Sequence, residues 1–242
     1  MIQSTKGIVL RTVKYGETSV IASIFTEHFG IQSYIVNGVR TQAKTSKAHF
    51  FQPSSILDMQ VYHNELRSLH RIKELKWSYL YKAVLSNVIK NAVALYMVEL
   101  LYKCLKQPEP NPVLFNFCED TLIELDTCSE TITANLPIYF SMQLAGFFGF
   151  RLQNNYSVQN NMFNPAGGNF TNKETDNEVS VSGDISKHIS SVLKAQRTQD
   201  LSEIKLNKNI RLVILSVIEK YYAIHIQEFG TMKTLPVLHT LL

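Results

Sequence analysis

The chain changes its hydrophobic period once, at Trp77, and that change constrains the fold more than any other feature. Before Trp77, apolar and polar residues alternate in short runs separated by turn signals; after it, apolar residues recur at helical spacing. Five strands are expected in the first part, over Thr5–Lys14, Ser19–Thr26, Ile31–Val36, Phe50–Tyr62 and Leu66–Leu75. Tyr15-Gly16-Glu17, Glu27-His28-Phe29-Gly30 and His63-Asn64 supply turns between them. Short strands at such close spacing point to a small closed β-barrel.

Ser78 to Leu105 holds no proline or glycine, and Leu85, Val88, Ile89, Ala92, Leu95, Tyr96 and Leu100 mark one helical face, with Glu99 as its polar exception. Asn111 can cap a second helix with Pro112 at its first position. A third carries Phe140, Leu144 and Phe147, with Pro137 inside it or at its start. Residues 151–183 are Asn-rich, contain Gly167-Gly168 and lack periodicity, so a long loop or short irregular hairpins are expected. Helices over Ile185–Ala195 and Asn207–Glu228 follow, then a short apolar tail, Leu235–Leu242. The expected division is a barrel over residues 1–76 and an α-helical domain over 77–242.

Charge is concentrated in the first part. Residues 1–80 hold ten cations (Lys6, Arg11, Lys14, Arg40, Lys44, Lys47, Arg67, Arg71, Lys73, Lys76) and five anions, so they carry +5 of a chain whose total is +4. A compact basic β-module is a common footprint of a nucleic-acid binder. Phosphates need cations along their track, and bases need aromatic platforms. Arg40, Lys44 and Lys47 lie on the loop after the third strand; Arg11 and Lys14 lie near the first turn. Arg67, Arg71 and Lys73 fall on the last strand, where period two puts them on one face. Tyr15, Tyr34 and Phe50 are candidate stacking residues. The plain alternative is a loop kept basic for solubility.

Other chemistry finds little support. The 242 residues are 45% hydrophobic and 18% charged, which excludes global disorder. Cys104, Cys118 and Cys128 are odd in number and widely spaced, as expected of reduced, mostly buried thiols in a cytosolic protein. The start lacks the apolar run of a signal peptide, and no stretch has the length of a membrane span, so a cytoplasmic location is expected. His63, Glu65 and His70 could suggest a metal site, but His63 and His70, seven apart on a strand and turn, are expected to face opposite sides, which argues against one there. No P-loop, nucleophile elbow or dinucleotide fingerprint occurs, and no nucleophile is paired with a base, so an enzyme is not expected. Lys205, Lys208, Arg211 and Lys220 lie near a helical surface whose groove could take an amphipathic or acidic peptide, but each reads first as part of a solvated helix face.

The ordered set Lys6-Gly7-Ile8-Val9-Leu10, Tyr15-Gly16-Glu17, Phe25-Thr26-Glu27-His28-Phe29-Gly30, Gly38-Val39-Arg40 with Ser46-Lys47, Pro108-Glu109-Pro110, and Tyr221-Tyr222 through His225, Phe229-Gly230 and Leu238-His239 resembles the recombination protein O (RecO) family of bacterial DNA repair. The resemblance implies an N-terminal OB-fold followed by an all-α domain. It implies a non-enzymatic, nucleoid-associated mediator that binds single- and double-stranded DNA, anneals complementary strands and assists loading of the RecA recombinase. Implied partners are RecR and the acidic C-terminal tail of the single-stranded-DNA-binding protein. Many family members carry a four-cysteine zinc site after the segment that here is Gly146–Phe150. Residues 151–183 contain no cysteine, so no zinc is expected, no other cofactor is expected either, and that loop must be held by packing or be mobile. A protein-only adaptor that docks acidic peptides, and an RNA-binding barrel, share the same charges.

Overall fold

The computed structural model describes residues 1–39, 47–172, 181 and 183–242. Two compact units arise: Met1–Ser86 with Leu101–Asp126, and Asn87–Leu100 with Thr127–Leu242.

The first unit is built on five strands, β1 (Ile2–Tyr15), β2 (Ser19–Thr26), β3 (Gly30–Val36), β4 (Ile56–Tyr62) and β5 (Leu69–Tyr79), closed in the order β1-β2-β3-β5-β4. This is the expected five-stranded OB-type barrel, with a one-turn 3-10 helix, Ala48–Phe51, between β3 and β4. Closure requires β1 to serve two neighbours. Its first half pairs with β4 from Ile2 to Ile8, and its second half pairs with β2 from Gly7 to Tyr15. A bulge between Val9 and Arg11 bends the strand where it changes partner. Alternation then fills the barrel: Val20, Ala22 and Ile24 from β2 and Leu57, Met59 and Val61 from β4 meet Val9, Tyr34, Val36 and Phe51 inside.

Phe25 faces outward, yet it is fully buried, because its ring lies 5.6 Å from Phe115 of helix α2 (Pro112–Thr127). Gly30, at φ 64°, sits so close to the Glu109 backbone that a Cβ would lie 2.4 Å from its carbonyl oxygen. Lys6 Nζ donates to both carboxylate oxygens of the buried Glu119 at 3.0 Å.

The expected helix from Ser78 starts later. Strand β5 runs to Tyr79, and helix α1 covers Val88–Cys104. The buried Asp126 holds the stretch between them. Its Oδ1 accepts from the amides of Ala83 and Val84, and its Oδ2 accepts from the Lys82 amide and the Tyr79 hydroxyl. Asn87 Oδ1 then caps the helix by accepting from the amides of Ile89 and Lys90. Cys104 and Cys118 are buried free thiols, and burial pushes both pKa values up.

The second unit is helical: α3 (Glu130–Phe147), α4 (Asp184–Lys194), α5 (Lys208–His225) and α6 (Leu235–Leu241). Pro137 lies inside α3, where the Ser141 hydroxyl donates to the Pro137 carbonyl and Tyr222 Oη donates to the Ser141 carbonyl. Glu99, polar on an apolar face, accepts from the amides of Lys233 and Thr234 at the start of α6. Arg211 is not solvated as expected; it is part-buried and its guanidinium donates to the carbonyls of Leu206 and Leu242. After α3, a small hairpin of β6 (Met162–Asn164) and β7 (Asn169–Thr171) buries Phe163 against Phe170, with ring centroids 5.3 Å apart. The Asn155 side chain bonds both backbone groups of Phe170, and Phe163 exchanges two bonds with Val181. Residues 152–171 are thus held by packing and hydrogen bonds.

Candidate nucleic-acid interface

Arg40 and Lys44 lie outside the described residues. The other expected contact residues fall in two groups. One group follows the outer face of β1, β4 and β5. Inward-pointing Leu57, Met59 and Val61 force Asp58, Gln60 and Tyr62 outward on β4. Opposite Asp58 stand Lys6 on β1 and Lys76 on β5; opposite Gln60 stand Ser4 and Glu74; opposite Tyr62 stand Ile2 and Arg71. A groove of about 730 Å³ follows the first two of these rows, with Lys47, Lys73 and Lys76 on its walls. Beyond it, Arg67, Arg71 and Tyr62 line a second cavity of about 780 Å³.

The groove is mixed in charge. Glu27, Asp58 and Glu74 share it. Lys76 lies 3.7 Å from Asp58 and Lys73 lies 3.8 Å from Glu74, both solvent-accessible pairs. Lys6 is committed to Glu119, a bond that raises its pKa against the opposing effect of burial. The second cavity has no carboxylate on its walls, and among the described residues neither Arg67 nor Arg71 has an ion-pair partner.

Arg11 and Lys14 form the other group. Beyond the bulge, Arg11 pairs with Ser23 and Lys14 with Val20, so the two cations sit on opposite faces of β1. Arg11 lies over the Tyr102 ring, 5.9 Å from its centroid. Its neighbours on the outer face of β1, β2 and β3 are the uncharged row Val13, Ile21 and Ile35.

Four expectations are corrected. Arg67 is not on the last strand; it closes a turn, donating its amide to the Asn64 carbonyl, and β5 begins two residues later at Leu69. Period two breaks on β5, because Lys73 is the extra residue of a bulge: Gln60 faces Glu74 while Val61 faces Ile72. The bulge brings Lys76 onto the same outer face as Arg71. Tyr34 is no stacking platform, since it is fully buried in the barrel, and Phe50 is half-buried against Trp77, with ring centroids 4.9 Å apart. His63 and His70 do not face opposite sides. Their rings stack with centroids 4.9 Å apart, because the turn between β4 and β5 folds one over the other. The expected list also omitted Lys6, Lys76 and Tyr62, although alternation from Met59 and Val61 already puts Tyr62 outside, where it is 49% exposed.

Among the described residues no group of three or more His, Cys, Asp or Glu is placed to hold a metal ion, and no helix is long and apolar enough to cross a membrane.

Comparison with known proteins gives a consistent result. Residues 1–81 match the family described as recombination protein O N terminal, and residues 85–234 match recombination protein O C terminal. Relatives named DNA repair protein RecO cover the chain end to end. The protein of Azobacteroides pseudotrichonymphae is 27% identical over 240 residues, 99% of each chain. That of Bacteroides fragilis is 28% identical over 242 residues, all of this chain and 99% of the relative. That of Flavobacterium psychrophilum is 27% identical over 240 residues, covering 97% of this chain and 96% of the relative. With an OB-type barrel at its start, helices after it and family matches over both parts, the chain belongs to the recombination protein O family.

Proposed function

We propose that the chain acts in DNA repair and recombination as a non-enzymatic mediator. It binds single- and double-stranded DNA, anneals complementary strands and assists RecA loading together with RecR and the acidic tail of the single-stranded-DNA-binding protein. The observation that carries this reading is the line of cations on the outer face of the barrel, Lys47, Lys73, Lys76, Arg71 and Arg67, with exposed Tyr62 among them. Cations there neutralise phosphates and release counterions, and two backbones so neutralised approach with less repulsion. Contacts of this kind position a backbone without reading bases, which suits annealing of any sequence.

One observation favours an additional protein contact. The row Val13, Ile21 and Ile35 is aliphatic, carries no carboxylate and has Arg11 beside it. It suits apolar side chains of an acidic peptide better than bases, which prefer aromatic platforms. A salt-titrated binding assay with single-stranded DNA, RNA and an acidic peptide separates the readings. DNA binding that weakens steeply with salt supports the mediator. Peptide binding without nucleic-acid binding at low salt makes the chain an adaptor.

A further inference from the structure

The second cavity holds two groups that backbone neutralisation alone does not use. Phe29, His63, His70 and Tyr34 form a line of rings. His63 stacks on Phe29 at 4.1 Å and 16°, His70 on His63 at 4.9 Å and 20°, and Tyr34 is tilted at 5.8 Å beyond it. His70 is 3% exposed. Nδ1 of His63 and Nδ1 of His70 are both buried and have no hydrogen-bond partner among the described residues. Orphaned buried ring nitrogens are costly and need a reason.

The surrounding charges supply one. The β4–β5 turn contributes Arg67 and Glu65, β5 contributes Arg71, and the β2–β3 turn contributes His28. Tyr62 and Tyr34 come from β4 and β3, and the Met1 amine donates to the His63 carbonyl. The only carboxylate among them, Glu65, lines a neighbouring cavity and not the one between Arg67 and Arg71. An imidazolium on that side would face two guanidiniums and no counter-charge. Burial first, then His63 and Arg67, push the His70 pKa down, against the Tyr62 carbonyl. Burial and these neighbouring charges therefore disfavour an imidazolium at His70 in the free protein.

We propose that Arg67, Arg71, His63 and His70 form a proton-linked subsite for one backbone phosphate of single-stranded DNA. This rests on the DNA-binding reading above and adds a regulation to it. The phosphate oxyanion supplies both the missing counter-charge and an acceptor for a protonated ring nitrogen. Binding then takes up a proton from solvent, and by linkage affinity rises as pH falls. A nucleic-acid phosphate is favoured over a peptide carboxylate because Arg71 continues, through Lys73 and Lys76, into the cation line on the same strand.

The test uses the full chain and an oligothymidylate at fixed salt, from about pH 8 to about pH 6, the range in which imidazoles change charge. Calorimetry in two buffers of different ionisation enthalpy reports proton uptake. His63→Phe and His70→Phe keep an aromatic ring in the stack but cannot take up a proton. The expected result is proton uptake by the natural protein, an affinity gain approaching about tenfold per pH unit for each proton bound, and a flatter pH profile in both variants. DNA binding with no proton uptake, or an unchanged profile in His63→Phe, overturns the inference and leaves the DNA-binding reading intact. Proton-linked binding of an oligoglutamate but not of DNA also overturns it. Failure to bind DNA at any pH overturns both.

Discussion

Asp126 anchors the exit from the barrel, and its two oxygens make separable predictions. Oδ1 accepts from Ala83 at 2.7 Å and Val84 at 2.9 Å; Oδ2 accepts from Lys82 at 2.9 Å and the Tyr79 hydroxyl at 3.2 Å. Asp126→Asn keeps an oxygen for the first pair but turns an NH₂ toward the second. The Tyr79 hydroxyl can rotate to accept, whereas the Lys82 amide cannot. One charge-assisted bond is lost and one donor faces another, a cost of about 2 kcal/mol. Asp126→Ala removes all four acceptor contacts and strands three amides, a cost of about 4 kcal/mol. Urea unfolding midpoints give the two costs, and amide exchange at residues 82–84 locates them. Equal costs for Asn and Ala, or costs below about 0.5 kcal/mol, refute the reasoning. The pH dependence has a definite sign. Burial pushes the Asp126 carboxyl up, but the amides of Lys82, Ala83 and Val84 and the Tyr79 hydroxyl outweigh it and hold the pKa below the ordinary range. A depressed pKa stabilises fully above the unfolded value of about 4 and is lost as pH falls through the folded value. The natural protein should therefore lose stability below about pH 4, and Asp126→Asn should be flatter there.

Lys6→Ala leaves the buried Glu119 carboxylate unpaired and should cost about 2–3 kcal/mol, whereas Glu119→Gln releases a half-exposed lysine and should cost about 1 kcal/mol; thermal or urea denaturation ranks them. Gly30→Ala collides with the Glu109 backbone and should cost at least about 2 kcal/mol, against about 1 kcal/mol for Gly16→Ala, which shares the positive φ but has open space. Phe170→Ala should cost about 3 kcal/mol and open the β6–β7 hairpin to proteolysis, while a zinc chelator should leave the thermal midpoint of the natural protein unchanged.

Local periodicity carried most of the barrel. Alternation on β2 and β4 is strict, so Val20, Ala22, Ile24, Leu57, Met59 and Val61 could be assigned inward from the chain alone. Periodicity failed where a tertiary partner decided. The break between β5 and α1 looks helical in sequence because the carboxylate that holds it, Asp126, is more than forty residues away. The bulge at Lys73 shifts the phase of β5 by one, which is why Arg71 and Lys76, five apart, share a face that strict alternation denies them. The His63–His70 stack was hidden because strand parity says nothing about residues on either side of a turn. Glu99 and Asn155 are polar residues in apolar or irregular stretches, and each is explained by a backbone it satisfies far along the chain. Charge clustering located the barrel as the candidate interface but could not order its cations. Lys6 is drawn away by Glu119, and Arg11 lies over a ring.

The central claim is that the outer face of β4 and β5 carries a DNA backbone. It is tested most directly by measuring single-stranded DNA affinity against salt for the natural protein and for a variant with Lys47, Arg71, Lys73 and Lys76 all changed to Ala. Each phosphate contact contributes about 0.7 to the logarithmic salt slope. The expected variant slope is shallower by about 2–3, with weaker binding at low salt. An unchanged slope and affinity in a folded variant would contradict it and move the interface elsewhere on the chain.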